Sequence, residues 1–231
     1  MISRQLQLVL TAVVFTLFSQ STIANSAVLQ SVPLPVNASI ETIAVDMIQN
    51  GHRISIAKLE TTSNIDDTLQ FYREQWSAPL AEGVPGFVEN NAGDWSIISR
   101  LEDGWNQVVQ VRPSDQGLEG RISVMNLKPA RGGRPQLPMP SGANLLSSTE
   151  SDDIGHTSNT FVVVARLGVD AVAEFYRRHF DTEGWSRVSD QSLDGSQVML
   201  LQRRGERAEI VVSRLPGSGS LAVVNKVLDD E

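Results

Sequence analysis

The side chains best suited to chemistry in this chain come in duplicate. Gly51-His52 recurs as Gly155-His156, and Phe71-Tyr72-Arg73 recurs as Phe175-Tyr176-Arg177 at the same separation. Both tyrosines and two of the three histidines lie in these pairs. An imidazole serves as metal ligand, proton carrier or pH-sensitive group near neutrality. In the second copy Asp152, Asp153 and His156 cluster, whereas the first has only Asp46 ahead of His52. One histidine beside carboxylates falls short of the donor set of a zinc site. A turn that needs glycine and tolerates a polar neighbour accounts for the Gly-His pair without any ligand.

Arg73 and Arg177 offer a guanidinium fork for a carboxylate or another anion. The phenylalanine and tyrosine before them fall on the packed stripe of a helix, where aromatics are core. Trp105 follows Gly104 and has no aromatic counterpart in the second copy, where Glu206 or Arg207 falls. It is therefore a candidate exposed anchor for a partner, with partial burial over the sheet as the alternative for an aromatic of this size. Nucleophilic and phosphate chemistry find no pattern. There is no Gly-x-Ser-x-Gly elbow, and Gly132-Gly133 fits neither a Walker nor a Rossmann loop. The acid pairs Asp66-Asp67, Asp152-Asp153 and Asp229-Asp230 read as a helix start, a loop and a tail. The expectation is no catalytic residue, no cofactor and no metal, with Trp105, His52, His156, Arg73 and Arg177 as candidate binding residues.

The elements that position these residues repeat with them. Arg53 to Leu59 alternates polar and apolar side chains, the period of a half-buried strand. Asn64 or Ser63 then caps a helix with Asp66 and Asp67 in its first turn, where the helix dipole favours acids. Ile65, Leu69, Tyr72 and Trp76 fall on one face of that helix, and Pro79 ends it. In the second copy Thr160 to Leu167 is the strand, and Val169, Val172, Tyr176 and Phe180 form the helical stripe. Three or four strands follow in each copy, joined by turns at Gly93-Asp94, Gly104, Asp194-Gly195 and Gly205. The prolines at 33 and 35, and those at 138 and 140, mark extended lead-ins. Pro35 aligns with Pro138 or with Pro140.

A repeat of roughly 100 residues is domain-sized. The expected fold is α+β: two tandem copies of a β-α-β-β-β(-β) module, each a helix on its own mainly antiparallel sheet. The modules span residues 28–130 and 137–231, with residues 131–136 as linker on the strength of Gly132-Gly133 between arginines and prolines. A strand, a Phe-Tyr-Arg helix, then Gly184-Trp185 and a meander resembles modules of uncharacterised exported bacterial proteins. The first copy departs from it with Gly86-Phe87. The resemblance implies a compartment and a fold type, and no catalytic residue.

Composition points the same way. Arg4 followed by a mostly apolar run from Leu6 to Phe18 and a small polar stretch is the pattern of a signal peptide at residues 1–24, cut after Ala24 or Ala27. An uncleaved N-terminal anchor facing out of the cytoplasm is the alternative. No second apolar run reaches membrane-spanning length. Cysteine is absent, which excludes disulfides and thiol catalysis. With 27 acidic against 19 basic residues, a net charge of −8, the surface disfavours nucleic acid. The chain is thus expected to be an exported, periplasmic or secreted, non-enzymatic binding or accessory protein of the bacterial envelope. Its partner would be an envelope protein or peptide, in a secretion or surface-assembly system. The competing expectation is a small-molecule binder or hydrolase using the cleft between modules.

Overall fold

Twelve strands, hydrogen-bonded in one antiparallel sheet, organise the chain. The computed structural model describes residues 29–130, 136–153 and 155–229. The expected signal segment and residues 131–135 of the expected linker lie outside the described residues. The strands are β1 (Ala38–Gln49), β2 (His52–Thr61), β3 (Val88–Ala92), β4 (Trp95–Glu102), β5 (Trp105–Ser114) and β6 (Gly117–Pro129), then β7 (Asn144–Asp153), β8 (His156–Ala165), β9 (Ser186–Leu193), β10 (Ser196–Arg203), β11 (Glu206–Arg214) and β12 (Ser220–Asp229). Helix α1 (Ile65–Gln75) follows β2, and α2 (Val169–Thr182) follows β8. Strand order across the sheet is β3-β4-β5-β6-β2-β1-β7-β8-β12-β11-β10-β9. Each half thus repeats one order, and the halves meet edge to edge at β1 and β7.

This overturns the expected pair of α+β modules with separate sheets. Strands make up 59% and helices 14% of the structure, and one antiparallel sheet runs through both copies. The error has a physical source. β1 and β7, the two strands that join the halves, do not alternate. β1 changes register twice, between Thr42 and Ala44 and between Ala44 and Met47, and Asp46 there has a φ of 53°. Such bulges break the two-residue period by which strands are recognised. The displaced Asp46 amide is satisfied by Ser55 Oγ at 3.1 Å. β7 is mostly polar and carries its own shift between Leu145 and Ser147.

The seam is short. Its ladder pairs Ile48 with Glu150 and Gln49 with Thr149. Beyond it Asn50 grips Ser148 from both sides: the Asn50 amide donates to Ser148 O at 2.8 Å, and Ser148 N donates to Asn50 Oδ1 at 2.9 Å. Asn50 can do this because it sits in a tight hairpin turn with φ of 52°, followed by Gly51 at 82°. Positive φ at both central residues defines the I′ turn that Asn-Gly favours.

Pairing register also fixes where the helices lie. Cross-strand partners share a face. Arg53 pairs with Ile48, Ile48 with Glu150, and Glu150 with Asn159. Arg53 alternates in phase with Ala57 and Leu59 of the first core, and Asn159 in phase with Phe161 and Val163 of the second. Both helices therefore cover the same face of the continuous sheet, each over its own core.

The two cores are variants of one plan. α1 starts at Asn64, whose Oδ1 accepts from the Asp67 amide at 2.8 Å. This cap keeps Leu69, Tyr72 and Trp76 pointed at β2, β4, β5 and β6. Tyr72 and Tyr176 are fully buried at matching places. Around them the aromatics are exchanged. The first half has Trp76 on the helix and Phe87 after it, whereas the second has Phe180 on the helix and Trp185 after it. At this pair of places the tryptophan and the phenylalanine swap positions, so their combined volume is kept, the kind of change cores tolerate best. The lead-ins are equivalent too: the Ala38 amide bonds Pro35 O at 3.1 Å, and the Ala143 amide bonds Pro140 O at 3.0 Å. Pro35 therefore corresponds to Pro140, not Pro138. Gly117 and Gly219 form another matched pair, because a Cβ there would lie 2.3 Å from Thr61 O and 2.4 Å from Ala165 O respectively.

Two outcomes follow from these contacts. Burial pushes the Tyr176 hydroxyl up to about 12 and that of Tyr72 higher still. A raised native value means that the neutral phenols favour the fold below their unfolded value and that this contribution is lost as pH rises through the native one. Spectrophotometric titration should therefore show little phenolate until alkaline unfolding, when both tyrosines ionise together. At the seam, Asn50→Ala removes the bond to Ser148 N and places a Cβ-branching-free but unfavourable residue at positive φ. It should cost about 1–3 kcal/mol in urea unfolding, and the two halves should then unfold in separate steps.

Candidate functional site

The repeated arginines hold the outer strands to the helices. Arg73, on the outer side of α1, donates from Nε to Glu89 Oε1 at 2.6 Å and from Nη2 to Glu89 Oε2 at 2.8 Å. Glu89 belongs to β3, the terminal strand of the first half. Arg177 repeats the fork on Asp190 of β9, with 2.7 and 2.9 Å, and adds a bond from Nη2 to Gln197 Oε1 at 3.1 Å. The Phe-Tyr-Arg repeat is thus a unit with two jobs: tyrosine into the core, arginine onto the edge strand. The two-pronged bond to arginine holds the Glu89 carboxyl below the usual carboxylate range, and Arg177 does the same for Asp190.

The two copies differ in how closed this corner is. The Arg73 and Glu89 side chains are 36% and 30% exposed, against 21% and 22% for Arg177 and Asp190. Beside Arg73 lies a recess of ≈ 360 Å³ lined by Leu69, Arg73, Glu89, Asn91 and Ser96 among others. Ser96 occupies on β4 the place that Gln197 occupies on β10, facing Asn91 as Gln197 faces Ser192. Serine is too short to bond the arginine as Gln197 does. Among the described residues, Arg73 Nη2 bonds Glu89 and has no counterpart of the second bond that Arg177 Nη2 makes to Gln197.

β3 is itself an open edge. Its register with β4 is regular from Val88 to Ala92, and all five residues are exposed. It has no proline, lysine or bulge, and its one charged residue, Glu89, is turned to the helix side and held by Arg73. β9, the other edge, is blunted: it bulges at Val188, where the partner of Leu200 is Ser189 and that of Leu201 is Arg187. Arg187 also pairs there with Asp181. The Asn91 amide is held by the neighbouring Asn90 Oδ1 at 2.8 Å, so it is not spent on β4. The backbone of Asn91 therefore turns outward, while its side chain shares the recess with Glu89 and Arg73.

The remaining candidates fall elsewhere. His52 is half-buried, and its Nδ1 lies 3.2 Å from Asn126 O. Trp105 is half-buried and packs against the first core, with Asn126 as its cross-strand partner. These two residues converge on Asn126. His156 is exposed at the start of β8, opposite Asp229 and Asp153 in register. His52 and His156 stand on strands separated by β1 and β7 and are not brought together. Among the described residues, no group of three or more His, Asp or Glu side chains is placed to hold a metal ion, and no helix is long and apolar enough to cross a membrane. The recess and the β3 edge escaped the sequence reading because Glu89, Asn91 and Ser96 have no distinguishing motif. The one available signal was the difference between Ser96 and Gln197 at matching places in the repeat.

Comparison with protein-family models, with curated proteins and with solved structures gave no match.

The forks predict the acid limb of stability. A depressed native carboxyl means that the unfolded chain takes up protons first, so stability present at neutral pH is lost as pH falls through the native values. Urea midpoints measured against pH should show a shallower acid limb for Asp190→Asn and for Glu89→Gln. The effect should be larger for Asp190, whose pair is less exposed.

Proposed function

We propose that this protein is an exported, non-enzymatic accessory protein of the bacterial envelope that binds an extended polypeptide segment along β3. The observation that carries this reading is the open β3 edge beside the Arg73 recess. Edge-strand addition supplies affinity through main-chain bonds and specificity through pockets for alternate side chains. β3 offers both in one place: an Asn91 N–H that is not paired with β4, where a partner carbonyl would take the place of Asn90 Oδ1, and a polar recess on the side to which the Asn91 and Glu89 side chains turn. The envelope compartment rests on the signal-like N-terminus.

The contrast with β9 supports a dedicated use of β3. Both edges come from the same repeat, yet only β9 carries a bulge and an arginine turned to its neighbourhood. An edge left flat on one side only is consistent with a partner that covers it.

The test uses a photo-crosslinking amino acid in place of Val88 in the native cells. One partner should be captured reproducibly. Asn91→Pro, which removes the outward N–H while sparing the pairing to β4, should abolish the capture without changing thermal unfolding by more than a few degrees. Unchanged capture in the proline variant, or none in the parent, would count against strand addition at β3.

A further inference from the structure

We infer that the recess beside Arg73 recognises a primary carboxamide, the side chain of glutamine or asparagine, presented by the added strand; this rests on the strand-addition reading above. The protein's own second half displays the occupied form of the corner. There the Gln197 amide oxygen accepts from Arg177 Nη2 at 3.1 Å, completing a guanidinium already forked onto Asp190. In the first half the fork is kept, the residue at the matching place is Ser96, and a recess of ≈ 360 Å³ opens there. What the second half supplies in cis, the first half is shaped to receive in trans.

The chemistry of the corner selects the same group. Arg73 is already neutralised by Glu89. An incoming carboxylate would meet the Glu89 carboxylate, and an incoming ammonium would meet the guanidinium, each at the cost of like charge. A carboxamide is neutral and is both donor and acceptor. Its oxygen takes a bond from Arg73 Nη2, the atom that Gln197 reaches on Arg177, and its NH₂ group gives one to Glu89 or to the Asn91 side-chain oxygen. Leu69 at the inner wall receives the methylenes that precede the amide. The approach is set by the strand geometry. A residue that pairs with Asn91 or Glu89 turns its side chain to the same face as theirs, which is the face of the recess.

The probe is a fluorescent peptide that alternates threonine with glutamine, compared with one that alternates threonine with alanine. Alternation presents glutamine to the helix face in any register of the chosen phase. Binding to the full chain is read by fluorescence anisotropy. The glutamine peptide should bind at least about tenfold more tightly, the size of one hydrogen bond to a charged group. Ser96→Gln, which supplies the amide from the chain itself, should erase the preference, and Gln197→Ser should leave it intact. Arg73→Lys, which keeps the charge and loses the fork, should also erase it and serves if Ser96→Gln folds poorly by circular dichroism. Equal binding of the two peptides would overturn carboxamide recognition while leaving strand addition standing. Binding of neither would overturn both, and a preference that survives Ser96→Gln and Arg73→Lys would overturn the assignment to this corner.

Discussion

The grip of Asn50 on the Ser148 backbone is the constraint on which the architecture depends. Without it the β1–β7 seam is a short ladder between two bulged strands. With it, a turn residue at positive φ bonds the neighbouring strand through both its amide and its side chain. The sheet therefore passes from one half to the other without a break in backbone hydrogen bonding. Because antiparallel pairing keeps partners on a common face, the same seam obliges α1 and α2 to lie on one side. Two separate cores then share a single sheet, joined only where the end of β1 meets the middle of β7.

Joining the halves at one pair of edges leaves the other pair exposed. β3 and β9 are the outer strands, and each is tied to its helix by the arginine of the Phe-Tyr-Arg unit. The repeat thus solves the same local problem twice: a helix stripe needs aromatic bulk in the core, and an outer strand needs an anchor to the layer above. Duplication lets the two solutions diverge. The exchange of tryptophan and phenylalanine between Trp76/Phe87 and Phe180/Trp185 stays within the cores, since it keeps the combined volume of that pair of places. The exchange of Ser96 for Gln197 does reach the surface, because it decides whether a guanidinium is saturated within the chain.

Much of the local structure was legible in the residues. The Asn64 cap, the acids in the first turn of α1, the aromatic stripes and the Asp-Gly turns are local features, set by backbone propensity and by neighbours within a few positions. The arginines could be recognised as carboxylate partners, but not which carboxylate, since Glu89 and Asp190 are brought to them by the sheet. The standing of Trp105 and His52 also needed the fold. Both converge on Asn126, a residue far from either in sequence.

By itself the sequence determined the duplication, the matching order of elements after β1 and β7, the absence of thiol chemistry and the acidic surface. These follow from composition and short-range periodicity. Only the tertiary structure decided that the copies form one sheet, that the helices share a face, and that β3 is open where β9 is blunted. Those facts depend on strand pairing across long separations and on bulges that erase the alternation of the pairing strands. The physical reason is that a strand's period reports which of its faces is buried, whereas its edges, which carry the seam and the proposed binding site, are backbone and leave almost no mark on side-chain pattern.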